Sequence, residues 1–495
     1  MIMKRLLDEA KKMIQINSET SRGNEELANY VQTLLHERGI KSQLQPVTHS
    51  LEGISKRQFN VIGILGDPLV DRKIRKGLLL NTHLDTVSPG RPENWTETGG
   101  NPFSAVVREN KIYGLGSADV KLDFLCKLHA VSKFRERKLK QPIYLVGTCG
   151  EEIGMFGARY LIKSMALNPR YVLVGEPSDL KLINGHKSMN VFRVKIDFQQ
   201  VERDARGFNR RIDLFTFGKS AHSAYPHLGV NAIFATLDFL QKASEAGFEF
   251  RFTRFDGGDT INKVPDRAQA QFYLTSHQFE DFKRFFREIT ESRTFPADFK
   301  AELGGIGDTG VRFLPDALYP CLMDVVGLFQ RMSRDFKTMK DPTYDPPHST
   351  INFGRLQQDV SGATLHFDLR LLPDLVAESI EQHVLEGIKE IAAKYPSLNI
   401  SAVRERMSPG LNMKDDHEFV KMCRDSMSAA GFEPTLARKA TATEAALYFQ
   451  AGYEAVVIGP GLSQGNSHSP NEHNLLDQME KAVLFYEKII EKVCS

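Results

Sequence analysis

The sequence predicts an α/β protein whose main domain is interrupted by an inserted α+β domain, and three observations lead there. Four apolar runs of strand length, 77–80, 143–148, 171–174 and 455–458, each lead into acidic or histidine residues. Stretches of helical periodicity lie between them, such as Leu27, Val31, Leu34 and Leu35 before a stop at Gly39. From about residue 188 to residue 405, one order of helix-like and strand-like segments occurs twice.

A chain of 495 residues exceeds what one core usually holds, so two or three domains are expected. Its 41% apolar and 25% charged content is that of a soluble globular protein. A net charge of +2 is too small to indicate nucleic acid or an anionic membrane surface as partner. Cys126, Cys149, Cys321, Cys423 and Cys494 are odd in number and lack paired spacing, which favours reduced thiols over a disulfide framework. Residues 1–16 mix Lys4, Arg5, Lys11 and Lys12 with Asp8 and Glu9, an amphipathic helix rather than a signal sequence. No run is long and apolar enough to span a bilayer, so a cytoplasmic location is expected.

The run 77–80 reads as a buried strand that delivers N-T-H-L-D, residues 81–85, at its C-terminal end. In open α/β sheets ligand-binding residues collect at that edge. One residue separates His83 from Asp85, so an extended chain puts both on one face. A metal-bound histidine needs an acceptor on its other ring nitrogen, which Asp85 could help provide. Next comes G-L-G-S-A-D-V-K at 114–121, before a helix through Leu125, Leu128 and Val131. Asp119 could bridge two cations there, or simply cap the helix.

The strand 143–148 ends in C-G-E-E-I-G, and adjacent Glu151 and Glu152 raise one another's pKa, as suits a general base. In isolation the pair also reads as a solvated turn. A further strand ends in G-E-P-S at 175–178, and the last, 455–458, leads through G-P-G to His468 in H-S-P-N-E. Together His83, Asp119, Glu152, Glu176 and His468 offer the nitrogen and oxygen donors that zinc takes, with positions left for water.

In this order, these motifs resemble the dizinc metallohydrolase family of acetylornithine deacetylase, succinyl-diaminopimelate desuccinylase, carboxypeptidase G and related dipeptidases. The segment G-K-S-A-H-S at 218–223, with Pro226 and G-V-N-A at 229–232, matches the family's lid. The resemblance implies a zinc-peptidase-like catalytic domain in two parts, 1–187 and 406–495, around a lid at 188–405. It implies that His83 and Glu176 bind one metal, Glu152 and His468 the other, and that Asp119 bridges across a cis Asp119–Val120 peptide. Asp85 would orient His83, and Glu151 would move a proton from a metal-bridging water to the leaving amine. His222 would bind the oxyanion, and Asn262, Arg370 and Gly461 would contact substrate. Two metals are implied, zinc first, with cobalt or manganese possible in the same ligands. Glu444, where the family more often has Asp, and Ser188, where it usually has glycine, depart from the pattern without touching a proposed ligand.

The lid region is longer than the family's usual one. The sequence suggests two consecutive repeats, about 188–295 and 305–405. The first holds His222 and Asn262 but has Thr275 where an arginine is expected; the second has Arg370 but Q-Q-D-V at 357–360 in place of N-x-V-P. In dimeric relatives the neighbouring chain supplies the histidine and asparagine. Here one chain would hold both halves and act as a monomer, the alternative being an unrelated insertion in a homodimer. Arg370 could also be a strand-end surface cation, although a guanidinium suits bidentate recognition of a carboxylate.

The resulting expectation is a metal-dependent amide hydrolase acting on small N-acyl amino acids or short peptides with a free carboxylate. Glu176 resembles the family's deacylases and carboxypeptidases, whereas the doubled lid resembles its dipeptidases. A catalytically silent metal-binding protein of the same fold is the alternative of another class, and Glu151 argues against it. Specificity should reside in loops 88–103 and 203–211, which carry no readable code.

Overall fold

Four central strands of the first unit are parallel, and this decides where the chemistry collects. The computed structural model describes residues 2–51, 54–67, 75–164, 167–199, 201–202, 207–306 and 311–495. Part of the loop 203–211 therefore lies outside the described residues. The chain divides into one unit of Met1–His186 with Leu411–Ser495 and a second of Lys187–Gly410.

In the first unit, the strands Ile143–Thr148, Leu78–His83, Tyr171–Gly175 and Glu454–Val457 run side by side and parallel. Lys41–Leu51 and Ile54–Leu65 extend the sheet antiparallel on one side; Leu182–His186, Leu411–Asn412 and Leu436–Lys439 complete the other. Every residue of Leu78–His83 is buried, which is why Leu78, Leu79 and Leu80 follow one another as an apolar run rather than in alternation. Helices Ile2–Gln15, Lys121–Ser132, Glu418–Ala429 and Leu476–Cys494 pack on one another and help close the core.

The helix Lys121–Ser132 is buried from Lys121 to Val131, charges included. Lys127 pairs with Asp123 at 2.6 Å and donates to Thr82 Oγ1 at 2.9 Å. Tyr486 donates to Asp123 from the C-terminal helix. A charge taken from water survives only when paired and hydrogen-bonded. This network ties the helix to the strand that carries His83.

The second unit is an eight-stranded antiparallel sheet. Its order is Asp298–Ile306, Phe208–Phe217, Arg267–Thr275, Arg251–Gly257, Thr350–Gln358, Gly362–Arg370, Met189–Asp197 and Asn399–Ser408. Numbering each half's strands by sequence, the first half reads 4-1-3-2 and the second 2-3-1-4. Each half places a helix between its first and second strands and another after its third: Ala232–Glu245 and Ser276–Glu291, then Leu318–Phe336 and Ala377–Lys394.

The halves are nested, which corrects the consecutive boundaries 188–295 and 305–405. Met189–Asp197 pairs with Gly362–Arg370 and Asn399–Ser408, so the second half begins before the first and encloses it. Strand partners are chosen over long sequence distances, and neither strand carries a local mark of its partner. The halves join where Gly257 pairs with Leu356. A Cβ on Gly258 would lie 2.2 Å from the Gly354 carbonyl oxygen, and Gly258 has φ +73°, so glycine alone fits that approach. Phe239 anchors the first half's core among Phe282, Phe285, Phe286, Phe295 and Phe299. No helix among the described residues is long and apolar enough to cross a membrane, and all five cysteines are buried and unbridged.

Candidate metal centre

Parallel register brings distant motifs to one edge. His83 aligns with Thr148 and Thr82 with Gly175, so His83, the Glu151–Glu152 turn and Glu176 leave the sheet together. The loop after Glu454–Val457 leads on to His468, whose φ of 56° is left-handed, an uncommon conformation for a residue with a side chain. Asp119 precedes the helix Lys121–Ser132, and the Asp119–Val120 peptide is cis.

The two oxygens of Asp119 face different histidines. Oδ1 lies 3.2 Å from His83 Nε2, and Oδ2 lies 3.3 Å from His468 Nε2. Two groups share this carboxylate, His83–Asp119–Glu176 and Asp119–Glu152–His468, each with candidate ligand atoms within 4.8 Å of one another. His468 Nε2 is also 3.1 Å from Glu152 Oε1. A third group, His83–Glu151–Glu152, overlaps them.

Such crowding is electrostatically costly without cations. Burial, then the charges of Glu152, Glu176 and Glu444, push the Glu151 carboxyl well above its usual range against the pull of His83. Glu176 is raised chiefly by burial, opposed by the Lys439 ammonium 3.4 Å from its Oε2. Burial would raise Asp119 too, but hydrogen bonds to His468 and His83 take it well below the carboxylate range. A pair of divalent cations would relieve this repulsion, and imidazole and carboxylate donors suit them.

Asp85 works differently from the expectation. His83 Nδ1 lies 3.0 Å from the Asp85 backbone oxygen and 3.8 Å from its carboxylate, so the main chain orients the ring. The Asp85 carboxylate instead accepts the N–H groups of Glu151 at 3.1 Å and Glu152 at 3.3 Å, and the Thr20 hydroxyl at 2.7 Å. Its side chain thus positions the acidic turn. Gly461 donates its N–H to Gln478 Oε1 in the helix Leu476–Cys494, and its carbonyl accepts from the Asp179 N–H in the turn beyond Tyr171–Gly175.

In the second unit, His222 pairs with Lys263 in a β-bridge, and Ser223 N–H donates to the Asn262 carbonyl. His222 Nδ1 accepts from the Ala224 N–H at 3.0 Å, which leaves the proton on Nε2, the tautomer needed to donate. Ser223 donates to Asp368 Oδ2, which also accepts from Arg370 at 2.8 Å. His222, Asn262 and Arg370 are therefore linked within one chain, although His222 and Arg370 belong to different halves. Thr275 and Arg370 end equivalent strands, Arg267–Thr275 and Gly362–Arg370.

A family model for peptidase family M20/M25/M40 matches residues 79–492. The chain belongs to this family. Members of the M20 family are metal-dependent hydrolases, and this chain's relatives support amide-bond hydrolysis in general. The chain is 24% identical to an acetylornithine deacetylase from Proteus mirabilis over 97% of its own length and 92% of that protein's. It is 25% identical to the corresponding enzyme of Photorhabdus laumondii, over 91% and 85%. Its fold resembles an aminoacylhistidine dipeptidase from Vibrio alginolyticus, with TM-score 0.68, 18% identity and coverage of 99% and 96%. It also resembles an M20 metallo-carboxypeptidase from Sulfolobus solfataricus, with TM-score 0.58, 18% identity and 98% of both chains covered.

Of two further residues that brace this M20 centre, Glu472 carried no signal of its own in the sequence and Glu444 stood out only as a departure from the family's usual Asp. Glu472 Oε1 accepts the N–H groups of Ala118 at 2.8 Å and Asp119 at 2.9 Å, which anchors the shared carboxylate. It lies in the H-S-P-N-E motif, whose histidine alone drew a role. Glu444 Oε2 accepts from Asn81 at 2.6 Å and Thr148 at 2.8 Å, joining the strands that carry His83 and Glu151. Burial pushes Glu444 and Glu472 each up to about 7.

Proposed function

We propose that this M20 protein is a two-metal amidohydrolase that removes an acyl group from, or cleaves a short peptide bearing, a free carboxylate. The observation that carries this reading is Asp119, with one oxygen toward His83 and the other toward His468, and a half-buried Glu151 grouped with His83 and Glu152. His83, Asp119 and Glu176 would hold one cation and Asp119, Glu152 and His468 the other, zinc being the first choice and cobalt or manganese compatible with the same donors. When bound, the cations would supply an acidified water and polarise the scissile carbonyl.

The remaining roles fall to the chain. Glu151, backed by Asp85, accepts the proton of the attacking water and returns it to the leaving amine. His222 offers Nε2–H to the developing oxyanion. Arg370 takes the substrate carboxylate; its Nε is buried without a hydrogen-bond partner, while Asp368 fixes its other end.

A dipeptidase reading is favoured by one observation, the two matching halves of the second unit, which unite His222 and Arg370 in one chain. On either reading the enzyme acts as a monomer in the cytoplasm. Metal analysis coupled to a panel of N-acetyl amino acids, N-succinyl compounds and dipeptides tests the chemistry. About two equivalents of metal with turnover of one class support it, whereas metal-free turnover overturns it. Light scattering tests the monomer: activity confined to a dimer, with a His222 variant rescued in trans, would reject it.

A further inference from the structure

The sheet of the second unit carries a row of basic side chains that the proposed hydrolysis leaves unused. Arg355 pairs with His366 across Thr350–Gln358 and Gly362–Arg370, and His366 pairs with Arg193 on Met189–Asp197. Directly paired residues share a face, so two guanidinium groups flank one imidazole. Strands lie about 4.8 Å apart, so the Arg355 and Arg193 backbones are roughly 10 Å from each other. That span is one that two arginine side chains can close around a small oxyanion. Arg406, beside Val191 on the next strand, adds a third positive charge.

The negative charge nearby is meagre. Glu405, bulged out of Asn399–Ser408, reaches Arg193 at 3.7 Å and His366 at 3.5 Å. Asp368 on the neighbouring row is committed to Arg370, and Asp197 to Lys195 at 2.7 Å. Among the described residues, Arg355 and Arg406 have no acidic partner, so three guanidinium groups face one carboxylate. His366 is 7% exposed, and its Nδ1 and the Arg355 Nε are buried without hydrogen-bond partners. Burial chiefly, then the charges of Arg355, Arg193 and Arg406, opposed by Glu405, hold His366 below its ordinary pKa. Like charges gathered on a fully built sheet, with the buried Arg355 Nε–H unmet, form a receptor for an anion.

We propose that Arg193, Arg355, His366 and Arg406 form a binding site for a small oxyanion, either a carboxylate or a phosphate. Guanidinium forks recognise both through paired N–H···O bonds. The site is defined by residues of the second unit alone and does not depend on the metal chemistry.

Isothermal titration of the full chain with inorganic phosphate and with glutarate, at low ionic strength, tests it. The expected result is saturable binding of one or both, weakened about ten-fold or more in Arg355→Gln/Arg406→Gln. A preference for phosphate assigns the site to a phosphorylated ligand, and a preference for glutarate to a carboxylate. Arg406 is exposed, so Arg406→Gln alone serves if the double variant does not fold, with weakening of about three-fold expected. No binding of either anion to the wild type, or equal binding to the variants, overturns the proposal.

Discussion

Replacing Glu151 by glutamine separates proton transfer from metal holding. The Glu151 main-chain N–H is held by Asp85 Oδ1 at 3.1 Å, and an amide side chain leaves that bond intact. The turn should therefore keep its shape, and Glu152 its place beside His468. What is lost is the capacity to accept and return a proton, a contribution of about a hundred- to ten-thousand-fold. This corresponds to roughly 3–5 kcal/mol of barrier. Steady-state turnover of the substrate found in the panel, with metal analysis of the dialysed variant, gives both quantities. Turnover should fall over that range while metal content stays at the wild-type value. Glu151 also groups with His83 and Glu152, so loss of a metal from Glu151→Gln would make it a ligand and refute the assignment. Turnover within about threefold of wild type would refute it equally, since general base catalysis gives far more.

Other perturbations follow from particular contacts. Glu9 joins the first helix to Arg38 at 2.7 Å and His129 at 2.8 Å. Burial would raise it, but hydrogen bonds from His129, Arg38 and Arg5 take it down to about 2, so its contribution is present above the ordinary value of 4.5 and lost as pH falls toward 2. Glu9→Gln should cost roughly 1–2 kcal/mol near neutral pH after allowance for solvent screening, shrinking below about pH 4, in urea titrations at several pH values. Glu444→Ala leaves the Asn81 amide and Thr148 hydroxyl without their shared acceptor, and urea unfolding should show a loss of roughly 2–4 kcal/mol. Arg370→Lys keeps the charge but not the fork, so KM for a substrate with a free carboxylate should rise about ten- to a hundred-fold with kcat little changed. An unchanged KM would remove Arg370 from the carboxylate site.

The proposed ligands were legible because His83, Glu152 and Glu176 sit where apolar strands end, while Asp119 and His468 lie in short polar motifs, one before a helix and one in the loop beyond the last parallel strand. His83 ends one fully buried strand and Glu176 follows another, and parallel pairing sends the ends of those strands to one edge. The residues that hold them were harder to see. Glu444 serves Asn81 and Thr148 from a position hundreds of residues away, and a single glutamate in A-T-A-T-E-A announces no such partner. The same holds for Lys439, which reaches Glu176 from an edge strand. Asp85 was legible as an orienting residue, but which of its oxygens would serve His83 depended on the shape of the turn at Glu151.

Local order in the chain therefore determined the fold class, the family and the cluster of histidines and carboxylates. Strand-end chemistry is written in consecutive residues, and parallel strands need no further information to bring their ends together. Tertiary structure alone decided the nesting of the two sheet halves, the link from His222 through Ser223 and Asp368 to Arg370, and the tie of Gly461 to Gln478 and Asp179. Those outcomes depend on strand partnership and hydrogen-bond competition across long separations, where no residue marks its partner in advance.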